Sequence, residues 1–208
     1  MEKKNKDSES IVFSIFGYGK GKTESVIGLT VRAIQNKKKV LFGQCLKDGT
    51  SSEVEFFKSQ PLVEVMVAGT KKIALPKNIK DEDYEVHKQF VTEIIQAIEQ
   101  SRMDVLVLDE ILVALDLGLI PIESIYDIIS LCRIKFITVA MTGRVRSHEL
   151  RKKIITASDI ASNCYCERHR FNTHCDSCNQ DFNYYYKYCP QCGRKLSLSQ
   201  PAKRGVDY

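Results

Sequence analysis

Residues 14–25 read SIFGYGKGKTES. Gly17 and Gly21 bracket three residues, Tyr18, Gly19 and Lys20, before Lys22 and Thr23 follow. The common phosphate-binding loop, G-x-x-x-x-G-K-[ST], carries four residues at that place, so this loop is one residue shorter. Its flanks give it meaning. IVFSIF (11–16) is an apolar, β-branched run that ends at glycine and reads as a buried strand. Val26, Ile27, Val31 and Ile34 then recur at helical spacing across 23–36. A glycine loop between strand and helix aims backbone N–H groups and the positive helix end at an anion. On that reading Lys22 supplies a point charge and the Thr23 hydroxyl reaches a magnesium ion. The alternative is a glycine-rich turn without a ligand.

Outward from the loop, KKVLFGQC, VEVMVA, MDVLVLDE and IKFITVAMTGR read as strands, and DIASNCYC as a last one. DEDYEVHKQFVTEIIQAIEQS has an acidic start and apolar positions at Phe90, Val91, Ile94, Ile95 and Ile98, an amphipathic helix. PIESIYDIISLC and SHELRKKIITAS read as further helices. Strands alternating with helices predict an α/β fold, a mostly parallel sheet covered on both faces. The strand MDVLVLDE ends in Asp109 and Glu110, and a carboxylate there is the hard oxygen ligand that magnesium takes beside phosphates. Either acid could serve, and one of the pair could instead cap the following helix. Loop and carboxylates together imply nucleoside triphosphate binding, which does not by itself name a reaction.

The 208 residues suffice for one mid-sized domain and a small appendage. A hydrophobic content of 43% with 27% charge is ordinary for a soluble globular chain. Much of the +5 net charge lies in MEKKNKD and PAKRG, which read as solvated tails rather than a nucleic-acid footprint. No apolar run nears the roughly 18–20 residues of a membrane span, and the charged N-terminus lacks a signal-peptide core. A cytoplasmic setting is expected, where the eight cysteines would be metal ligands or free thiols.

Six of those cysteines fall between 164 and 192, which marks a boundary near 163. The expected division is a tail at 1–10, a nucleotide-binding domain at 11–163, a cysteine-rich module at 164–195 and a tail at 196–208. In CDSCNQDFNYYYKYCPQCGRK, Cys175 and Cys178 precede Cys189 and Cys192 by ten intervening residues. Two such knuckles suit a closed, structural Zn²⁺ site, a zinc ribbon, with rubredoxin-like iron a minor option. Cys164, Cys166, His169 and His174 form a weaker candidate for a second metal, or an ordinary strand end and connector. The tyrosines at 184, 185, 186 and 188 would fill the ribbon's small core or stack on a flat ligand.

In its motifs the chain resembles the ATP:corrinoid adenosyltransferase family of the P-loop type, the cob(I)alamin or cob(I)yrinic acid a,c-diamide adenosyltransferases. The family's G-x-G-K-G-K-T is found as Gly17 through Thr23, VRAIQNKKKVLFGQCLKDGTSSE resembles its arginine-bearing helix, second strand and Q-x-x-K-G turn, and VLVLDEILVALDLGLI resembles its L-D-E-I block. FITVAMTGRVRSHELRKKIITASDIAS resembles its T-G-R turn and following helix, so the match covers roughly residues 11–165.

The resemblance implies a RecA-like P-loop fold and transfer of the 5′-deoxyadenosyl group of ATP to the cobalt of a reduced corrinoid, releasing triphosphate, in adenosylcobalamin synthesis or salvage. It implies ATP contacts along Gly17, Tyr18, Gly19, Lys20, Gly21, Lys22, Thr23 and Glu24, with Mg²⁺ on Thr23 and Glu110 or Asp109. Arg32 and Arg144 match family arginines, which bind ATP or make structural ion pairs. Gln44 and Lys47 of the Q-x-x-K-G turn fall on the corrinoid side, with Ile73 and Leu75 of AGTKKIALPK where the family carries aromatics. Glu24 stands where a second Thr or Ser is usual, and Leu112 where a polar residue is common. A homodimer and an electron-donor flavoprotein or other reductase are implied partners. Two other readings are a thymidine-kinase-like enzyme, which would need a longer loop and a D-E-A-Q strand end, and a non-catalytic ATP-binding regulator recognising a partner through the ribbon.

Overall fold

Strand β4, Val105–Asp109, shows why the sheet forms. Val105 and Val107 lie in one hydrophobic cluster and Leu106 and Leu108 in the other, so both faces of the strand are covered. That is what a run without polar alternation requires. The coordinates are a computed structural model that describes residues 9–69, 79–165, 172–175, 177–178, 180–183 and 194–198. They divide into two compact units, one of the N-terminal stretch through Gly17 with Gly21–Cys164, the other of Tyr18–Lys20 with the residues from Tyr165 onward.

In the first unit the chain runs β1 (Val12–Phe16), α1 (Lys22–Gln35), β2 (Val40–Cys45), α2 (Ser52–Lys58), β3 (Val63–Ala68) and α3 (Asp81–Glu99). After β4 come α4 (Ile111–Asp116), α5 (Ile122–Ile134), β5 (Thr138–Gly143), α6 (His148–Ala157) and β6 (Ile160–Asn163). The six strands form one sheet in the order β3-β2-β4-β5-β1-β6, every pairing parallel. Val12 registers with Val139 and Phe13 with Ile160, so β1 lies between the last two strands of the unit.

Val26 of α1 and Val54 and Phe57 of α2 bury against one face, with the Phe57 ring 4.8 Å from that of Phe42. Ile94 and Ile98 of α3, Ile125 and Ile128 of α5 and Ile154 of α6 cover the other. The long helices and most strands fall where the hydrophobic periodicity puts them, within a residue or two; β5 starts four residues later than IKFITVAMTGR suggests, because α5 runs on through Ile134, and β6 ends at Asn163, three residues short of the end of DIASNCYC. Two short helices carry too little periodicity to be read from sequence. Helix α2 buries only Val54 and Phe57, and α4 starts directly after the strand it follows.

Leu112, where a polar residue is common in the family it resembles, is fully buried in α4. It packs on Gly143 at the end of β5. A Cβ on Gly143 would lie 2.8 Å from that of Leu112 and 2.6 Å from the Val113 nitrogen, and its φ of 150° is in the region that favours glycine. The T-G-R glycine is therefore the place where α4 meets the sheet.

The second unit holds an antiparallel sheet in the order β8-β7-β9, from β7 (Asn172–Cys175), β8 (Gln180–Asn183) and β9 (Ser197–Leu198). Thr173 registers with both Phe182 and Leu198. Cys175, at the end of β7, is buried with Leu196, and Cys178 packs beside them. Of the other metal-ligand candidates, Cys166, His169, Cys189 and Cys192 lie outside the described residues, as do Ile73 and Leu75 and the four tyrosines. Cys164 closes the first unit, its N–H donating to the Phe16 carbonyl at 2.7 Å.

Leu112→Ala removes a fully buried side chain at this junction, and should lower the free energy of unfolding by about 2–5 kcal/mol in urea denaturation.

Candidate functional site

The carboxyl ends of β1, β2, β4 and β5 carry the polar residues that the hydrophobic strands do not explain, which is where open parallel sheets bind ligands. The loop leaves β1 at Gly17, whose φ is 116°. A side chain there would run into the Cys164 carbonyl oxygen and the Asn163 amide oxygen, so the loop's first residue has to be glycine. Gly21 (φ 101°) is the N-cap of α1, where no side chain caps the helix. The helix then begins at Lys22, 7% exposed, and Thr23. Glu24 is exposed in the same first turn. Within the second unit Gly19 is buried, and a Cβ on it would lie 2.7 Å from the Tyr165 backbone. Tyr18 is half-buried and Lys20 exposed.

Asp109 is the centre of the site. Its side chain is fully buried at the end of β4. Thr142 Oγ1 donates to Oδ1 at 2.7 Å and Thr23 Oγ1 to the same oxygen at 3.1 Å. Gln44 Nε2 donates to Oδ2 at 3.2 Å, and Lys47 Nζ reaches that oxygen at 3.5 Å. A buried carboxylate is tolerable only when its oxygens are satisfied in this way. Thr142 Oγ1 also accepts the Glu110 N–H at 2.9 Å, tying β5 to the residue after β4.

A second acid holds the donors in place. Glu53 Oε1 accepts from Gln44 Nε2 at 3.1 Å and Lys47 Nζ at 3.2 Å, while Ser51 Oγ donates to Gln44 Oε1 at 3.2 Å. Burial works against the charge on Glu53. Its own backbone N–H and the hydrogen bonds from Ser51, Gln44 and Lys47 outweigh that and lower its pKa to about 2. Burial also disfavours the Lys47 charge, but Asp109, Glu53 and Glu110 more than offset it and leave its pKa raised.

Glu110 sits in the left-handed region (φ 60°) at the N-cap position of α4, beyond the strand, without a side-chain cap. Burial and the Asp109 charge raise its pKa, opposed by Lys22, Lys47 and Arg144. Those three cations therefore converge on it electrostatically. Cys45 at the end of β2 is fully buried, and burial followed by the Asp109 and Glu110 charges pushes its thiol well up.

The structure thus gathers Lys22, Thr23, Asp109, Glu110, Gln44, Lys47 and Arg144. It does not bring Arg32 to them: that residue is exposed in the last turn of α1, about 15 Å of helical rise from Lys22. Ser51, Glu53 and Thr142 escaped the sequence reading. Thr142 carried a signal as the T of the T-G-R turn beside the Asp109 strand. Glu53 had only its place shortly after the glycine turn.

A parallel sheet flanked by helices, with a glycine loop leaving one strand and a buried carboxylate ending another, is consistent with a P-loop-like nucleotide-binding fold. A family model described as ATP:corrinoid adenosyltransferase BtuR/CobO/CobP matches residues 8–179. The chain belongs to that family and is a transferase, whose reaction moves the adenosyl group of ATP to a corrinoid. Family membership selects the adenosyltransferase among the three readings. No curated protein sequence matches significantly. Among solved structures, the flagellar accessory protein FlaH from Methanocaldococcus jannaschii aligns with a TM-score of 0.50 at 11% identity, over 79% of this chain and 72% of that one. That likeness concerns the fold alone. Among the described residues no helix is long and apolar enough to cross a membrane.

The lowered Glu53 pKa makes the network acid-sensitive. Its stabilisation is present above the ordinary glutamate value of 4.5 and is lost as pH falls through about 2. Glu53→Gln should therefore be less stable than the parent at neutral pH, with the gap in urea midpoints closing between those two pH values.

Proposed function

We propose that the site holds ATP by its triphosphate as a leaving group and delivers C5′ to the cobalt of a reduced corrinoid. The observation that carries this reading is the Thr23 hydroxyl 3.1 Å from the Asp109 carboxylate, directly after the shortened glycine loop. Cobalt(I) supplies the electron pair of the new cobalt–carbon bond, the C5′–oxygen bond breaks, and triphosphate departs with the pair of that broken bond. The loop glycines from Gly17 to Gly21 and the first turn of α1 supply N–H groups to the phosphates. Lys22 neutralises charge that grows on the departing group, and Lys20 adds to this. Arg144, sharing the field of Glu110 with Lys22, belongs to the same cationic wall.

Magnesium fits the oxygen donors at this point. Thr23 with Asp109 or Glu110 would hold it, and bound there it would offset triphosphate charge. The Thr23–Asp109 hydrogen bond favours Asp109 as the inner partner. The raised pKa of Glu110 suits a residue whose carboxylate is completed by a nearby cation. Gln44 and Lys47, fixed to Asp109 and Glu53, serve this centre first; contact with the corrinoid would come from the far side of the Lys47 chain.

The C-terminal module is read as a zinc ribbon, ligated by Cys175, Cys178, Cys189 and Cys192. The packing of Cys175 and Cys178 around Leu196 supports it, since it places the first knuckle's residues together at the end of β7. A closed four-thiolate site would stabilise the module rather than act in the chemistry. The domain division near 163, a cytoplasmic homodimer and an external reductase complete the reading.

The test is reduction of cobalamin in the presence of MgATP, with adenosylcobalamin followed by absorbance and triphosphate by ion exchange. Folded protein that makes neither product overturns the reading. Removing one preorganised charge-stabilising donor costs about 10²–10³ in kcat, and Lys22→Ala should fall in that range. Metal analysis should find zinc in the full chain, and Cys175→Ser should lower its content.

A further inference from the structure

A cleft of about 420 Å³ lies between α3 and the turn that joins α4 to α5, apart from the Asp109 network. Its size is that of small-molecule pockets, roughly 300–1,000 Å³. Val91, Leu119, Ile120 and Pro121 form apolar walls, His87 and Ser124 supply neutral polar groups, and the exposed Glu85 and Lys88, of opposite charge, also line it. His87 is 1% exposed. Its Nδ1 lies 2.6 Å from the Asp83 carbonyl oxygen, which can only accept, so Nδ1 carries the proton. Burial lowers the pKa of the ring, which keeps it neutral at physiological pH. Nε2 is then an acceptor, and it is buried with no hydrogen-bond partner among the described residues. An orphaned acceptor in a cleft calls for a donor that the protein does not provide.

We propose that this cleft binds a neutral carboxamide carried on an apolar body. The amide N–H donates to His87 Nε2, the amide oxygen accepts from the Ser124 hydroxyl, and the body lies against Val91, Leu119 and Ile120. A carboxylate in the same place sets its lone pairs against that of Nε2 and is rejected. Two sources share this chemistry. One is a separate small-molecule amide. The other is a peripheral amide side chain of the corrinoid, a source that rests on the proposed function. Helix α4 leads from Glu110 to this turn in about 9 Å of helical rise, within reach of a macrocycle seated over the site. The cleft itself does not depend on that reading.

The experiment labels the full chain with ¹⁵N-histidine and follows the His87 Nε2 resonance in long-range ¹H–¹⁵N spectra, assigned with His87→Phe. Benzamide should shift that resonance and saturate on the order of 1 mM. Benzoate of the same shape should not. Ser124→Ala, a partly exposed change that leaves the fold intact, should weaken benzamide at least threefold. Absence of a benzamide shift, or equal shifts with benzoate, overturns the proposal. Given the shift, cob(II)alamin with MgATP competing with benzamide assigns the corrinoid as source. Benzamide binding that is indifferent to cobalamin assigns a separate ligand. Adenosyl transfer measured on the same samples reports separately on the proposed function.

Discussion

One carboxylate, Asp109, sets the terms for everything around it. It ends the central strand of the sheet with no access to water, and a charge in that position must be met on both oxygens. Thr142 from β5 and Thr23 from α1 meet one oxygen, and Gln44 and Lys47 from the end of β2 the other. Four segments distant in sequence are thereby bound to a single point. The start of α1 is tied to this anion through Thr23, directly after the glycine at its N-cap.

The charge balance of the site follows from the same residue. Its negative charge raises the pKa values of Glu110 and Lys47 and of the Cys45 thiol alike. Lys47 thereby favours its charged form, while burial and Asp109 make the charge on the neighbouring Glu110 more costly, a cost that Lys22, Lys47 and Arg144 oppose. A site with those biases waits for a polyanion accompanied by a cation. That matches a substrate whose leaving group carries several negative charges, and the chemistry then consists largely of holding that group still.

The fold was legible wherever hydrophobic pattern alone decides it. Val105 to Leu108 is apolar without interruption and had to be a doubly covered strand; the run Phe90, Ile94, Ile98 had to be a helix face. The loop and the two carboxylates could be placed because each sits at a strand end bounded by glycine or charge. What escaped was a matter of three-dimensional partners. Nothing in SSEVEFFK says that Glu53 turns inward to hold Gln44 and Lys47 while Glu55 stays at the surface. Arg32 matched a motif, but a helix carries a residue away from its neighbours at 1.5 Å per step, which puts it at the opposite end of α1 from Lys22. Leu112, a departure from the family pattern, is answered by Gly143, which accepts its bulk.

The position of β1 has a consequence for how the protein is made. Although it comes first among the strands of its sheet in chain order, its partners are β5 and β6, and Val12 N–H donates to Asp159 across nearly the whole unit. Pairings of such separation cost loop-closure entropy before they return any energy. During synthesis the early chain can join β2 to β3 and then β4, but its first strand has nothing to lie against until residues 138–163 have emerged. At about 5–20 residues per second, the strand that carries the glycine loop spends several seconds without its sheet partners. The glycine loop thus precedes the strands that flank β1 by more than a hundred residues, and the end of β1 from which it leaves gains its sheet neighbours only when β5 and β6 are made.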